Sequence, residues 1–79
     1  NPGLEIRIEG HTDSLGKEEE LLFLSEQRAA AIRDFLVGKG IEGTRIKTIG
    51  YGAKYPVTDN TSDELRAKNR RVEVRVTKI

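Results

Sequence analysis

Leu4, Ile6 and Ile8 alternate with Glu5, Arg7 and Glu9, the period-two pattern of a strand with one buried face. A polar stretch bounded by glycines, Gly10 to Gly16, reads as the loop that follows. From about Lys17 to Val37 the apolar positions recur at helical spacing. Glu18, Glu19 and Glu20 fall in the first turns, where the helix dipole favours negative charge, and Gly38 and Gly40 close the segment. Arg45 to Ile49 predicts a second strand, ended by Gly50-Tyr51-Gly52. Pro56 interrupts the chain, and Asp59 or Asn60 is the expected cap of a short helix running to about Ala67. Val72, Val74 and Val76, alternating with Glu73 and Arg75, predict a third strand. The order β-α-β-α-β implies an α+β two-layer sandwich, a three-stranded mixed sheet with helices on one face. The pattern alone leaves the direction of the last strand open.

The long helix carries one anomaly. At 100° per residue, Leu21, Leu22, Leu24, Ser25, Ala29, Ile32, Phe35 and Leu36 share a broad arc, with Glu20, Glu26, Gln27, Arg33 and Asp34 opposite. Arg28 lies inside the apolar arc. A guanidinium there must snorkel to solvent or meet an acidic group, because an unpaired buried charge is strongly unfavourable. One reading is an ordinary solvent-reaching or ion-paired arginine. The other sets Arg28 at the floor of a cleft beside the loop that carries Asp13. A carboxylate and a guanidinium held near each other without collapsing recognise a zwitterion, one taking the ammonium and the other the carboxylate.

Composition narrows the function more than it does the fold. Seventy-nine residues make one small domain, 34% charged and 35% hydrophobic, with a net charge of +1. That balance gives no broad attraction to nucleic acid or to an anionic membrane. No cysteine is present, and the one histidine, His11, is expected to serve as a hydrogen-bonding loop residue rather than a metal ligand. No metal or cofactor is expected. Asp13 with Arg28 makes no acid–base pair, since arginine does not give up its proton, so a binding module is favoured over an enzyme.

Positive charge concentrates at Arg66-Ala67-Lys68-Asn69-Arg70-Arg71. A solvated helix end is one reading, and a nucleic-acid surface is disfavoured because only two Tyr and two Phe are available for stacking. A third reading turns one of these arginines into the same cleft as Arg28. Asn69 has the alternative role of bonding backbone and shaping the turn into the last strand.

Four blocks, Ile8-Glu9-Gly10-His11-Thr12-Asp13, Leu24-Ser25-Glu26-Gln27-Arg28-Ala29, Gly50-Tyr51-Gly52 with Pro56, and Asn69-Arg70-Arg71-Val72-Glu73-Val74, together resemble the OmpA-like peptidoglycan-binding domain. That domain occurs in OmpA porins, peptidoglycan-associated lipoproteins and flagellar stator proteins. The resemblance implies non-covalent docking onto the cell wall through the diaminopimelate of the stem peptide, in the periplasm beside the outer membrane. The family's aspartate and arginine correspond to Asp13 and Arg28. Arg70 is implied to help hold the peptide's carboxylates, with Thr12 a secondary contact and Gly10, His11, Ser25 and Asn69 supporting. Membrane attachment is implied only through an anchor in the parent protein.

Two departures from the family pattern stand out. Leu21 occupies a position where an asparagine often lines the pocket. The family domain also begins with a further strand and helix, so residues 1–79 are read as one OmpA-like domain, incomplete at its N-terminus. The outer edge of the last strand is then expected to be open and to support a homodimer. The competing expectation keeps the scaffold but makes it an envelope protein–protein interaction domain without wall binding.

Overall fold

The computed structural model describes residues 3–78. Strand β1 (Glu5–His11) leads to helix α1 (Glu18–Gly38), a 3-10 turn (Gly43–Arg45) and strand β2 (Ile46–Gly50). Helix α2 (Asp63–Asn69) and strand β3 (Arg71–Lys78) complete the chain. The sheet order is β2-β1-β3, with β1 parallel to β2 and antiparallel to β3. A helical crossover between β1 and β2 is what a parallel pair needs. The α+β mixed sheet is therefore the one expected, and the direction of β3 is now fixed.

Two expected boundaries move, and the glycine closure of α1 stands. Gly10 and His11, expected in the loop, are the last residues of β1, where they pair with Val72 and Arg71. Helix α2 is capped by Ser62, whose Oγ accepts the Leu65 N–H at 3.2 Å, not by Asp59 or Asn60. At the end of α1, Gly40 takes φ 103° and its N–H reaches the Val37 carbonyl at 3.0 Å. The Ile41 N–H meets the Leu36 carbonyl at 3.2 Å, completing a Schellman closure.

Helix α1 covers β1 and β2 but not β3. Ile6, Ile8, Ala29 and Ile46 form the buried core, flanked by Leu4, Leu36, Ile41 and Val72. The helix comes this close because Gly10 and Gly50, side by side in register, leave a saddle beneath it. A Cβ on Gly10 would lie 2.0 Å from the Ser25 carbonyl oxygen, and one on Gly50 2.6 Å from the Glu26 nitrogen.

The apolar arc drawn from the helical wheel is wider than the surface it meets. Leu21, Ser25 and Ala29 are buried, whereas Leu24, Ile32 and Phe35 are exposed. Phe23, Glu26, Gln27 and Ala30 border β2. Leu24, Arg28, Ile32 and Phe35 therefore occupy the opposite flank, on the side of β3. Val74 and Val76, cross-strand partners of Ile8 and Ile6, share the helix-side face and are also exposed.

Candidate ligand-binding site

Beyond His11 the chain leaves the sheet at Thr12, whose N–H is held by the Gly52 carbonyl at 2.9 Å. Gly52 is itself fixed from the helix side. Its N–H donates to Ser25 Oγ at 3.0 Å, and that hydroxyl donates to the Leu22 carbonyl at 2.8 Å. Ser25 is fully buried, so this bridge locks α1 to both loops at the C-terminal end of the parallel strands. Gly52 turns with φ 60° while packing against Leu22, a conformation that glycine adopts without strain.

Asp13 follows, and it is only 6% exposed. Its Oδ1 accepts the Leu15 N–H at 3.0 Å, and its Oδ2 accepts Arg70 Nη1 at 2.6 Å. The Thr12 hydroxyl donates to the Asp13 carbonyl at 2.8 Å. Burial pushes the Asp13 carboxyl up, but the Arg70 hydrogen bond, the Leu15 N–H and the charges of Arg70 and Arg66 outweigh it. The net result is a carboxyl held below its usual range and ionised at neutral pH.

Arg70 reaches Asp13 because Asn69 organises the chain just before it. Fully buried Asn69 accepts the Val57 and Thr58 N–H groups at 2.8 and 3.3 Å. It donates to the Thr58 carbonyl at 3.0 Å and to Asn60 Oδ1 at 2.9 Å. The loop before α2 is thereby tied to that helix's last residue. Lys68 is left to solvent, but the arginines of the basic stretch are spent on the fold. Arg66 serves the Asn60 carbonyl and Asp63, Arg70 serves Asp13, and Arg71 serves Glu73 and the carbonyls of Asn69 and Tyr55.

Arg28 is half-buried on the β3-side flank of α1, one turn beyond Ser25, and its side chain has no hydrogen-bond or ion-pair partner among the described residues. Asp13 is engaged by Arg70 and not by Arg28. Leu21 is 8% exposed and lines a cavity of about 310 Å³ with Ser14, Leu22, Tyr51 and Lys54. A leucine there gives that hollow an apolar wall.

His11 departs from its expected loop role. It is a strand residue, 3% exposed, with neither ring nitrogen hydrogen-bonded. Its ring stacks on Tyr51 at 5.4 Å, and Tyr51 meets Tyr55 edge-on at 4.9 Å. Burial lowers the imidazole's affinity for a proton, and Arg71 lowers it further against the opposing pull of Glu73 and Glu9.

Beside His11 lies a charge lattice that the sequence pattern did not flag. Buried Glu9 accepts Arg7 Nε at 2.7 Å and Arg75 Nε at 2.8 Å. Glu73 accepts Arg71 Nε at 2.7 Å and Arg75 Nη2 at 2.9 Å. Ligand atoms of Glu9, His11 and Glu73 lie within 4.8 Å of one another. A cation there would displace guanidinium N–H donors from carboxylate oxygens that are all occupied, and would face three arginines. The chemistry of the cluster does not fit a metal.

Comparison with known proteins gives the geometry its family. The OmpA family profile matches residues 1–70. Outer membrane porin F of Pseudomonas aeruginosa is 50% identical over 76 residues, 95% of this chain and 22% of that protein. Peptidoglycan-binding protein ArfA of Mycobacterium bovis is 44% identical over 73 residues, covering 92% of this chain and 22% of its own length. The crystal structure of the peptidoglycan-associated lipoprotein from Burkholderia pseudomallei superposes with a TM-score of 0.90 at 30% identity, over 94% of this chain and 63% of that one. The chain thus spans under a quarter of these two sequence relatives. With the family profile covering residues 1–70 and the fold shared with a peptidoglycan-associated lipoprotein, the chain belongs to the OmpA family.

Proposed function

We propose that this domain binds peptidoglycan without chemistry of its own and anchors an envelope protein to the cell wall, in the periplasm at the outer membrane. The observation that carries the reading is a pair of opposite charges in different states. The Asp13 carboxylate is buried, ionised and oriented by Arg70 and the Leu15 N–H, while the Arg28 guanidinium has no partner among the described residues. Each Asp13 oxygen accepts one hydrogen bond and retains capacity for another. Diaminopimelate carries an ammonium and a carboxylate on one terminal carbon. In this reading Asp13 takes the ammonium, Arg28 takes the carboxylate through its fork, and Arg70 holds Asp13 in place while offering its remaining N–H groups to the peptide. A lysine side chain at the same point of the stem peptide lacks the carboxylate that Arg28 reads. Thr12 contributes by fixing the Asp13 backbone.

Free diaminopimelate titrated into the labelled domain tests the assignment. Amide shifts centred on Asp13, Arg28 and Arg70 are expected, and either Asp13→Ala or Arg28→Ala should abolish retention on diaminopimelate-type sacculi. Loss of one charged contact corresponds to about 2–5 kcal/mol when its partner is left unpaired. Full retention by both folded variants would remove the site.

A specific observation also supports a protein contact on the same scaffold. Leu24, Ile32, Phe35, Val74 and Val76 leave an apolar flank exposed between α1 and β3, and the outer edge of β3 has no neighbouring strand among the described residues. In this second reading β3 pairs with a strand of another copy. Light scattering should then report a dimer at high micromolar concentration, broken by Val74→Lys; a monomer throughout that range would eliminate it.

A further inference from the structure

The sheet has a second face, remote from α1, whose design the Asp13 site does not use. Arg7, Glu9 and His11 on β1 stand opposite Arg75, Glu73 and Arg71 on β3 in register, so all six side chains share that face. With Tyr51 and Tyr55 they line a hollow of about 290 Å³, near the lower end of the ~300–1,000 Å³ range of small-ligand sites.

The lattice's charges are already spent on one another. All four carboxylate oxygens of Glu9 and Glu73 accept a guanidinium N–H. Each nitrogen of Arg71 already donates once, to Glu73 and to the carbonyls of Asn69 and Tyr55. Three guanidiniums face two carboxylates, so one net positive charge remains, shared by the half-exposed Arg7 and Arg75. Arg7 and Arg75 keep outward N–H donors on side chains that are 44% and 55% exposed. The His11 imidazole at the floor has no hydrogen-bond partner. Tyr55 stands at the rim, 58% exposed, braced edge-on by Tyr51. Every carboxylate oxygen is taken, so a free cation finds no counter-charge here, and the surplus positive charge is half in water, where it holds a free anion only weakly. A ligand with one apolar face and a rim of hydroxyl and amide groups finds a partner for each part.

We infer that this face binds a neutral N-acetylated saccharide, with a sugar ring laid on Tyr55 and its polar rim bonded by Arg7 and Arg75. The inference rests on the peptidoglycan reading, because the wall polymer carries such a glycan beside its peptides. Arg70 and Arg71 are consecutive, the first serving Asp13 and the second the lattice, so one short segment joins the peptide-reading turn to the sugar-reading face. The two parts of the polymer would be held by two sides of one domain.

Chitotetraose, a β-1,4-linked tetramer of N-acetylglucosamine without peptide, is the probe. Titrated to millimolar concentration into the labelled domain, it should shift the amides of Arg7, His11, Tyr55 and Arg75 and leave those of Asp13 and Arg28 in place. Tyr55→Ala should weaken this binding about tenfold or more, and Tyr55→Phe should restore it, since stacking needs the ring and not the hydroxyl. The Tyr55 carbonyl that holds Arg71 is backbone and persists in both variants, and an unchanged dispersed spectrum verifies folding. Absence of shifts on this face, or equal binding by wild type and Tyr55→Ala, would overturn the inference. A diaminopimelate titration on the same sample keeps the two sites apart. Sugar shifts without diaminopimelate shifts uphold this face and sink the Asp13–Arg28 site, and the reverse result does the opposite.

Discussion

The two faces of β1 solve burial by opposite means. Toward α1, Ile6 and Ile8 sit in a core whose helix is let in by Gly10 and Gly50. Away from α1, Glu9 and His11 are equally hidden, at 4% and 3% exposure, yet no helix covers them. They are buried by their own neighbours, the stems of Arg7, Arg71 and Arg75 and the ring of Tyr51. The first face tolerates no added atom because its partner is rigid backbone. The second is built from long side chains that can shift, so it loses paired charge rather than shape when altered. A strand can thus bury residues on both faces, apolar ones on one side and salt-bridged ones on the other. Only the first half obeys the usual reading of alternation.

The sharpest way to break this contrast is Gly10→Ala. The added methyl would meet the Ser25 carbonyl oxygen at 2.0 Å, and neither the strand nor the helix backbone can yield without moving the other. A loss at or above the top of the ~1–3 kcal/mol range of overpacking is expected, read as a lower urea midpoint. The variant should also loosen the Ser25–Gly52 bridge and blur the Thr12–Asp13 turn. A midpoint within experimental error of wild type would show that α1 is free to lift off the saddle.

Glu9→Gln should cost less. It keeps the size of the side chain and removes the charge that holds Arg7 and Arg75, and those partners are half in water and can resolvate. About 1–3 kcal/mol is expected for a buried group that loses its charged hydrogen bonds. Burial opposes ionisation of Glu9, but the two arginines more than compensate and hold its carboxyl below the usual range. A Gln variant as stable as wild type would mean that desolvation cancels the pairing, as it does in many buried ion pairs.

How much of this the sequence disclosed follows the same division. Period-two alternation located β1 and β3, and helical spacing located α1, because one face of each is apolar. The same rule assigned Glu9 to solvent and His11 to a loop, since alternation cannot reveal that charged residues will bury one another. The glycines at 10 and 50 read as element ends. Their service as a saddle depends on register, which sets Gly10 beside Gly50 across forty residues of chain. Arg28 was visible as a charge in an apolar arc, although the arc itself overestimated what α1 covers. The Asp13–Arg70 contact joins residues 57 apart, and nothing in the sequence pointed to it: the resemblance offered Arg70 for the peptide's carboxylates and set Asp13 with Arg28.

The smallest expected effect separates the two faces by pH alone. His11 is the sole histidine, so a stability change near the ordinary imidazole value of 6.5 has one side chain to report on. Facing it are Arg71 and Arg75, which disfavour its protonation, Glu73 and Glu9, which favour it, and Tyr51, on which it stacks. Burial dominates and lowers its pKa in the folded chain, so the unfolded chain binds the proton more readily. Stability is therefore full above about pH 6.5 and falls as pH drops from there toward the lowered folded value. The carboxyls of Asp13, Glu9 and Glu73, all depressed, supply a second and separate loss that begins below their unfolded values near 4. Urea midpoints recorded from pH 8 to 3 should show two descents. His11→Phe, which preserves a stacking ring and cannot titrate, should erase the upper one and leave the lower. If the upper descent persisted in that variant, the burial of His11 would not be what couples this face to pH.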